Sequence, residues 1–152
     1  MAGKERGWLM IPEVDDEVLV AFDREDIRFP YVLGSLWNGV DVPPEANLDG
    51  KNDKRVFRSR KQHYLKFDDG EQGVVELAHN KGRRIVFDDK GFLVEDEAGN
   101  RVQVDSSSGA MTLEAKGTLN IKAATVNIES TGTMTAKAGG TMTIKGTLVQ
   151  IN

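Results

Sequence analysis

The sequence predicts an all-β protein in which a partial antiparallel barrel leads into an intertwined triple-stranded β-helix shared by three identical chains. Three observations carry that expectation. No helical apolar period of useful length occurs anywhere in the 152 residues. Between residues 63 and 104, runs of strand length alternate with turn signals rich in Asp, Asn and Gly. Over residues 109–152 the chain repeats a short unit: GTLNIKAA from Gly117, GTMTAKAG from Gly132 and GTMTIKGT from Gly140.

Residues 1–40 are read as part of a small barrel. Residues 8–11 (WLMI) make a short apolar strand, and Pro12 and Glu13 open a turn that Asp15 and Asp16 continue. Residues 17–22 (EVLVAF) alternate, placing Val18, Val20 and Phe22 on one face. Residues 23–28 are a charged hairpin loop and residues 30–36 the return strand. A closed barrel of the oligonucleotide/oligosaccharide-binding (OB) type uses about five strands, so the chain is expected to start inside that domain. Residues 41–62, with Pro43-Pro44, Asn47, Asp49-Gly50 and Asn52-Asp53, read as an extended linker. Residues 63–152 read as a needle. Its first strands are 63–67, 74–77, 84–87, 92–95 and 101–104, separated by turns such as Asp68-Asp69-Gly70 and Asn80-Lys81-Gly82.

The repeats set the oligomeric expectation. The copies from Gly132 and Gly140 are eight residues apart, and TVNIEST before them is an octad shortened by one. Apolar residues alternate with Thr, Asn and Lys, so Leu119, Ile121, Val126, Ile128, Met134, Met142, Ile144 and Leu148 fall on one inward face. That face is thin: no Phe, Trp or Tyr follows Phe92, and no Pro follows Pro44. Small isolated sheets are marginal, and short repeats gain stability by stacking. One chain could coil into a solenoid, but the repeat is brief and its apolar residues are few. An intertwined homotrimer fits better, with these eight residues as its core and Gly where the backbone turns tightly.

Composition narrows the function. The formal net charge is −4, which argues against a basic nucleic-acid-binding face. There is no Cys, hence neither disulfide nor thiolate metal site. The first residues lack the apolar core of a signal peptide, and no run is long enough to cross a membrane as a helix. His63 and His79 lie in strand contexts without a partner set for catalysis, so both read as structural. Asp68-Asp69 and Asp88-Asp89 precede Gly closely and read as turn chemistry rather than as cation ligands. Trp8, Tyr31 and Trp37 read as packing residues rather than as a stacking platform. Lys116, Lys122, Lys137 and Lys145 fall on the outward alternation and keep the needle soluble. No catalytic, metal or cofactor site is expected, and the protein is not expected to be an enzyme.

The run GW…IPEVDDEVLVAF…RFPYVLGSLWNG over residues 7–39 resembles the VgrG and phage-baseplate central-spike family, and so does RSRKQHYLKFDD over residues 58–69. The resemblance extends over essentially the whole chain. It implies a homotrimeric spike with an OB-type barrel at its base and a triple-stranded β-helix as its needle. Such a spike sits in a phage tail, type VI secretion system or extracellular injection particle and is driven through a target envelope. It implies baseplate hub and tube proteins as partners, transient contact with the target envelope, and no nucleic acid. It implies synthesis in the cytoplasm and delivery outside the cell without a signal peptide. Against the family pattern, the sequence lacks a hub domain and a lysozyme domain. It also lacks the His-x-His iron site of some tips, since its histidines lie far from the C-terminus. The ending Leu148-Val149-Gln150-Ile151-Asn152 suggests a flat end that a PAAR-type tip protein could cap. The alternative is an OB-type carbohydrate- or nucleic-acid-binding module on a β-solenoid stalk.

Overall fold

The computed structural model describes residues 2–151 and divides into two units, Met1–Gly117 and Thr118–Asn152. The described residues contain no α-helix, and every sheet is antiparallel.

The first unit opens with a short hairpin, β1 (Ala2–Gly3) and β2 (Arg6–Gly7). A second hairpin joins β3 (Val18–Phe22) to β4 (Pro30–Ser35), with a bulge between Leu19 and Val20. The charged loop between them holds a short 3-10 turn, Asp23–Glu25, and is closed by the Asp26 carboxylate on the Arg28 backbone amide and guanidinium. Residues 8–11, expected as a strand, pair with nothing along the backbone. The Trp8 ring meets Phe57 edge-on, with centroids 5.3 Å apart.

The rest of the unit is one seven-stranded meander in sequence order: β5 (Lys54–Arg58), β6 (Tyr64–Asp68), β7 (Val74–Ala78), β8 (Arg84–Asp88), β9 (Gly91–Glu95), β10 (Arg101–Asp105) and β11 (Ala110–Glu114). Two expectations are corrected here. Lys54–Arg58 lies inside the expected linker, yet it is a paired strand, because Val56 and Phe57 give it side chains to set against β6. Pairing between chains does not begin at residue 63: over residues 54–114 each strand pairs with its sequence neighbours in its own chain. Short loops return the chain at once and close each hairpin locally.

Three of those loops share one construction at the same end of the sheet: residues 59–63, 79–83 and 96–100. In each, the first amide donates to the fifth carbonyl and the fourth amide donates back to the first carbonyl. The fourth residue, Gln62, Gly82 or Gly99, takes a positive φ that a tight return requires. At the opposite end, Asp68, Asp88 and Asp105 accept amides of their own turns, as the Asp-before-Gly pattern predicts.

Among the described residues of the second unit no strand pairing occurs. Bends recur at residues 124, 131–132, 139–140 and 147, reproducing the octad spacing and its shortened member. The repeat glycines do not take left-handed backbone there, and a Cβ at Gly117, Gly132 or Gly140 meets open space. The expected tight turns at these glycines are therefore not imposed by the chain's own backbone.

Candidate assembly interface

A strand pleat sends alternate side chains to opposite faces. With the registers of this meander, one face collects apolar side chains from every strand. β5 contributes Phe57, β6 Leu65 and Phe67, β7 Val75 and Leu77, and β8 Ile85 and Phe87. β9 adds Phe92 and Val94, β10 Val102 and Val104, and β11 Met111 and Leu113. Arg55 alone breaks the pattern, at the edge. Phe87 and Phe92 are cross-strand partners with centroids 6.1 Å apart.

The opposite face sets Val56, Val74, Val86 and Leu93 among charged side chains that pair with one another. Glu76 is 7% exposed and lies 3.3 Å from the Lys66 ammonium and 3.8 Å from the Arg84 guanidinium. Arg84 reaches on to Glu95 at 2.7 Å, and Arg101 meets Glu114 at 3.0 Å. Burial first, and then a hydrogen bond with Glu76, raise the Tyr64 phenol above its ordinary range. Lys116 and then Arg101 hold the Glu114 carboxyl low. These cross-strand charge pairs satisfy one another and ask for no partner layer.

The apolar face is different, because apart from the Trp8 ring against Phe57 at its edge it is left largely open. Among the described residues only Ala78 is a buried hydrophobic, and Phe87 remains 52% exposed. A sheet with one apolar face needs a second layer, and soluble monomers rarely leave so continuous an apolar patch in water. Covering what remains exposed of these side chains would stabilise an assembly by on the order of 10 kcal/mol per chain.

The rim of this face is laced loop to loop. His63 Nδ1 accepts the Asn80 amide at 3.2 Å, Arg83 pairs with Glu97 at 2.5 Å, and Asn100 Oδ1 accepts the Lys116 amide at 2.8 Å. His63 and His79 stack with centroids 4.3 Å apart, beside a cleft that also includes Leu77, Ile85 and Val94. Asp96 accepts the Ala98 and Asn100 amides, and the Asn100 side chain above all holds its carboxyl low.

The eight residues expected as a core in the repeats, Leu119, Ile121, Val126, Ile128, Met134, Met142, Ile144 and Leu148, are all exposed in the single chain. One chain does not bring them together. Trp8, Tyr31 and Trp37, expected to pack, are also exposed; Trp8 and Trp37 line a groove with Met10, Val32 and Leu33. No group of three or more His, Asp or Glu among the described residues is placed to hold a metal ion. Among the described residues no helix is long and apolar enough to cross a membrane.

Against this geometry, comparison with known families gives one match. Residues 1–37 match the Type VI secretion system/phage-baseplate injector OB domain. The match ends just past β4, so the N-terminal segment is similar to an injector baseplate domain while the meander and the repeats lie outside it. Comparison with curated proteins returns no match.

The sheet face is the feature that sequence reading missed. Its signal was present as an apolar residue at every second position within each run from Phe57 to Leu113, partly masked where Val74, Val86 and Leu93 fill the positions between. The repeats drew the core assignment toward residues 119–148 because their period was easier to see.

Proposed function

We propose that this chain is a structural spike subunit of a contractile injection apparatus, VgrG-like in character, and that it acts as a homotrimer. The observation that carries the reading is the unpartnered apolar face of the seven-stranded sheet. The N-terminal match to an injector OB domain supplies the setting. Three identical chains turn their apolar faces to one another and leave their charged faces in water. The repeat segments, periodically bent but unpaired within one chain, supply strands to a shared thin core containing Leu119, Ile121, Val126, Ile128, Met134, Met142, Ile144 and Leu148. Backbone hydrogen bonds between chains then make bending a concerted event, so the assembly transmits axial force and pierces an envelope without chemistry. Hub and tube proteins at the base and a PAAR-type protein at the tip are the partners this reading expects, with the assembled particle acting outside the cell that made it.

Cysteine cross-linking tests the reading. Val75→Cys on the apolar face should give covalently linked species of up to three chains with a short trifunctional thiol reagent, whereas Thr112→Cys on the charged face should not. Equal yields from both would contradict it. Release of sugar from peptidoglycan by the pure protein would replace the mechanical reading with an enzymatic one. A second reading, an OB-type binding module, is favoured by one observation: Trp8 and Trp37 stand exposed on one groove. Saturable binding of an oligonucleotide or oligosaccharide by a monomeric chain would establish it instead.

A further inference from the structure

The chain's two histidines meet at the rim of the apolar face, on the adjoining loops 59–63 and 79–83. Both rings use Nδ1 as an acceptor. His63 takes the amide of Asn80 across the gap between the loops, and His79 takes the amide of Lys81 within its own loop, each at 3.2 Å. A neutral imidazole accepting at Nδ1 carries its one proton on Nε2, so neither ring can offer a metal a lone pair without changing tautomer.

A second proton has only Nδ1 to go to. It converts the acceptor into a donor aimed at a backbone N–H, and both bonds depend on that acceptor. It also places a cation against the other ring, 4.3 Å away. The charged neighbours do not relieve it. Lys81, Arg83 and Arg84 are cations, while the nearby carboxylates of Glu97 and Glu95 are already engaged by Arg83 at 2.5 Å and Arg84 at 2.7 Å. Partial burial first, and then the charge of His63, hold the His79 imidazole below its ordinary range.

We propose that the His63–His79 pair is an acid-sensitive latch: neutral, it ties two adjacent loops at the margin of the apolar face, and protonated it releases them. The latch operates within one chain. Its consequence, a weaker assembly in acid, rests on the trimeric reading. The sign follows from linkage. For His79, whose folded-state proton affinity is depressed, the contribution to the fold is present above the ordinary imidazole range near pH 6.5 and is lost as pH falls below it.

The test compares amide-exchange protection factors of Asn80 and Lys81 at about pH 7.5 and about pH 5, either side of imidazole titration. Protection in the parent chain should fall about tenfold in acid, and the double variant His63→Gln, His79→Gln should show no such fall. Unchanged protection in the parent, or the same fall in the variant, overturns the latch. If the variant does not fold, the parent still decides: its Asn80 amide resonance should shift as the imidazole rings take up protons, and an Asn80 amide that stays put while they do so refutes the latch. Sedimentation of the same samples judges assembly separately. A monomer at neutral pH would remove the trimeric reading while leaving the exchange result to judge the latch.

Discussion

Phe87→Asp separates an exposed face from an assembled one. In the single chain Phe87 is half in water, and its ring contact is Phe92 on the neighbouring strand. Losing such a pair costs about 0.5–1.5 kcal/mol, so an isolated chain would be only mildly weakened and made more soluble. In a trimer the same change removes about 2 kcal/mol of apolar burial per chain. It also sets three carboxylates in apolar surroundings, at several kcal/mol each. The total is on the order of 15 kcal/mol per trimer, enough to prevent assembly. Thr112→Asp, on the charged face of β11, is the control and should leave assembly intact. Sedimentation velocity and thermal melting read both variants. A Phe87→Asp protein that assembles and melts like its parent would refute the assignment of the face, as would a Thr112→Asp protein equally impaired.

Other positions follow from the same geometry. Gly91 has φ +143°, and a Cβ built there would stand 2.0 Å from the Val104 carbonyl oxygen; Gly91→Ala should therefore destabilise the β8–β10 region by about 3 kcal/mol or more, read as a lower melting temperature. Asp96 and Asp105 have carboxyls held low, chiefly by the Asn100 amide and the Ser107 hydroxyl. Their loops should stay tied above the ordinary carboxyl range near pH 4 and loosen as pH falls through it, with Asp96→Asn flattening that response in loop-amide exchange. Ile144→Asp should block trimer formation by setting three carboxylates around one axis, and a trimer of normal yield would remove Ile144 from the core.

The strands of the meander were legible because their alternation and their turn residues agree: Asp68, Asn80-Lys81-Gly82 and Asp88 each stand where a hairpin returns. β5 was hidden because its apolar residues, Val56 and Phe57, sit between basic ones in a stretch crowded with Asn, Asp and Gly. Residues 8–11 look like a strand and are not paired as one; the ring contact of Trp8 with Phe57 is made at the start of the run. The histidine pair could not be foreseen, since residues 63 and 79 become neighbours only through the β6–β7 register. The apolar face could have been found by writing each run of the meander in two columns. One column then holds only apolar residues apart from Arg55, while the other mixes Val56, Val74, Val86 and Leu93 with the Lys, Glu and Arg residues.

Mass in solution tests the central claim most directly. Sedimentation equilibrium of the full chain across a broad range of concentrations should return three chain masses, holding at the most dilute sample. A folded, stable particle of one chain mass would mean that the apolar sheet face tolerates water alone, and the account built on its need for two further copies would be contradicted.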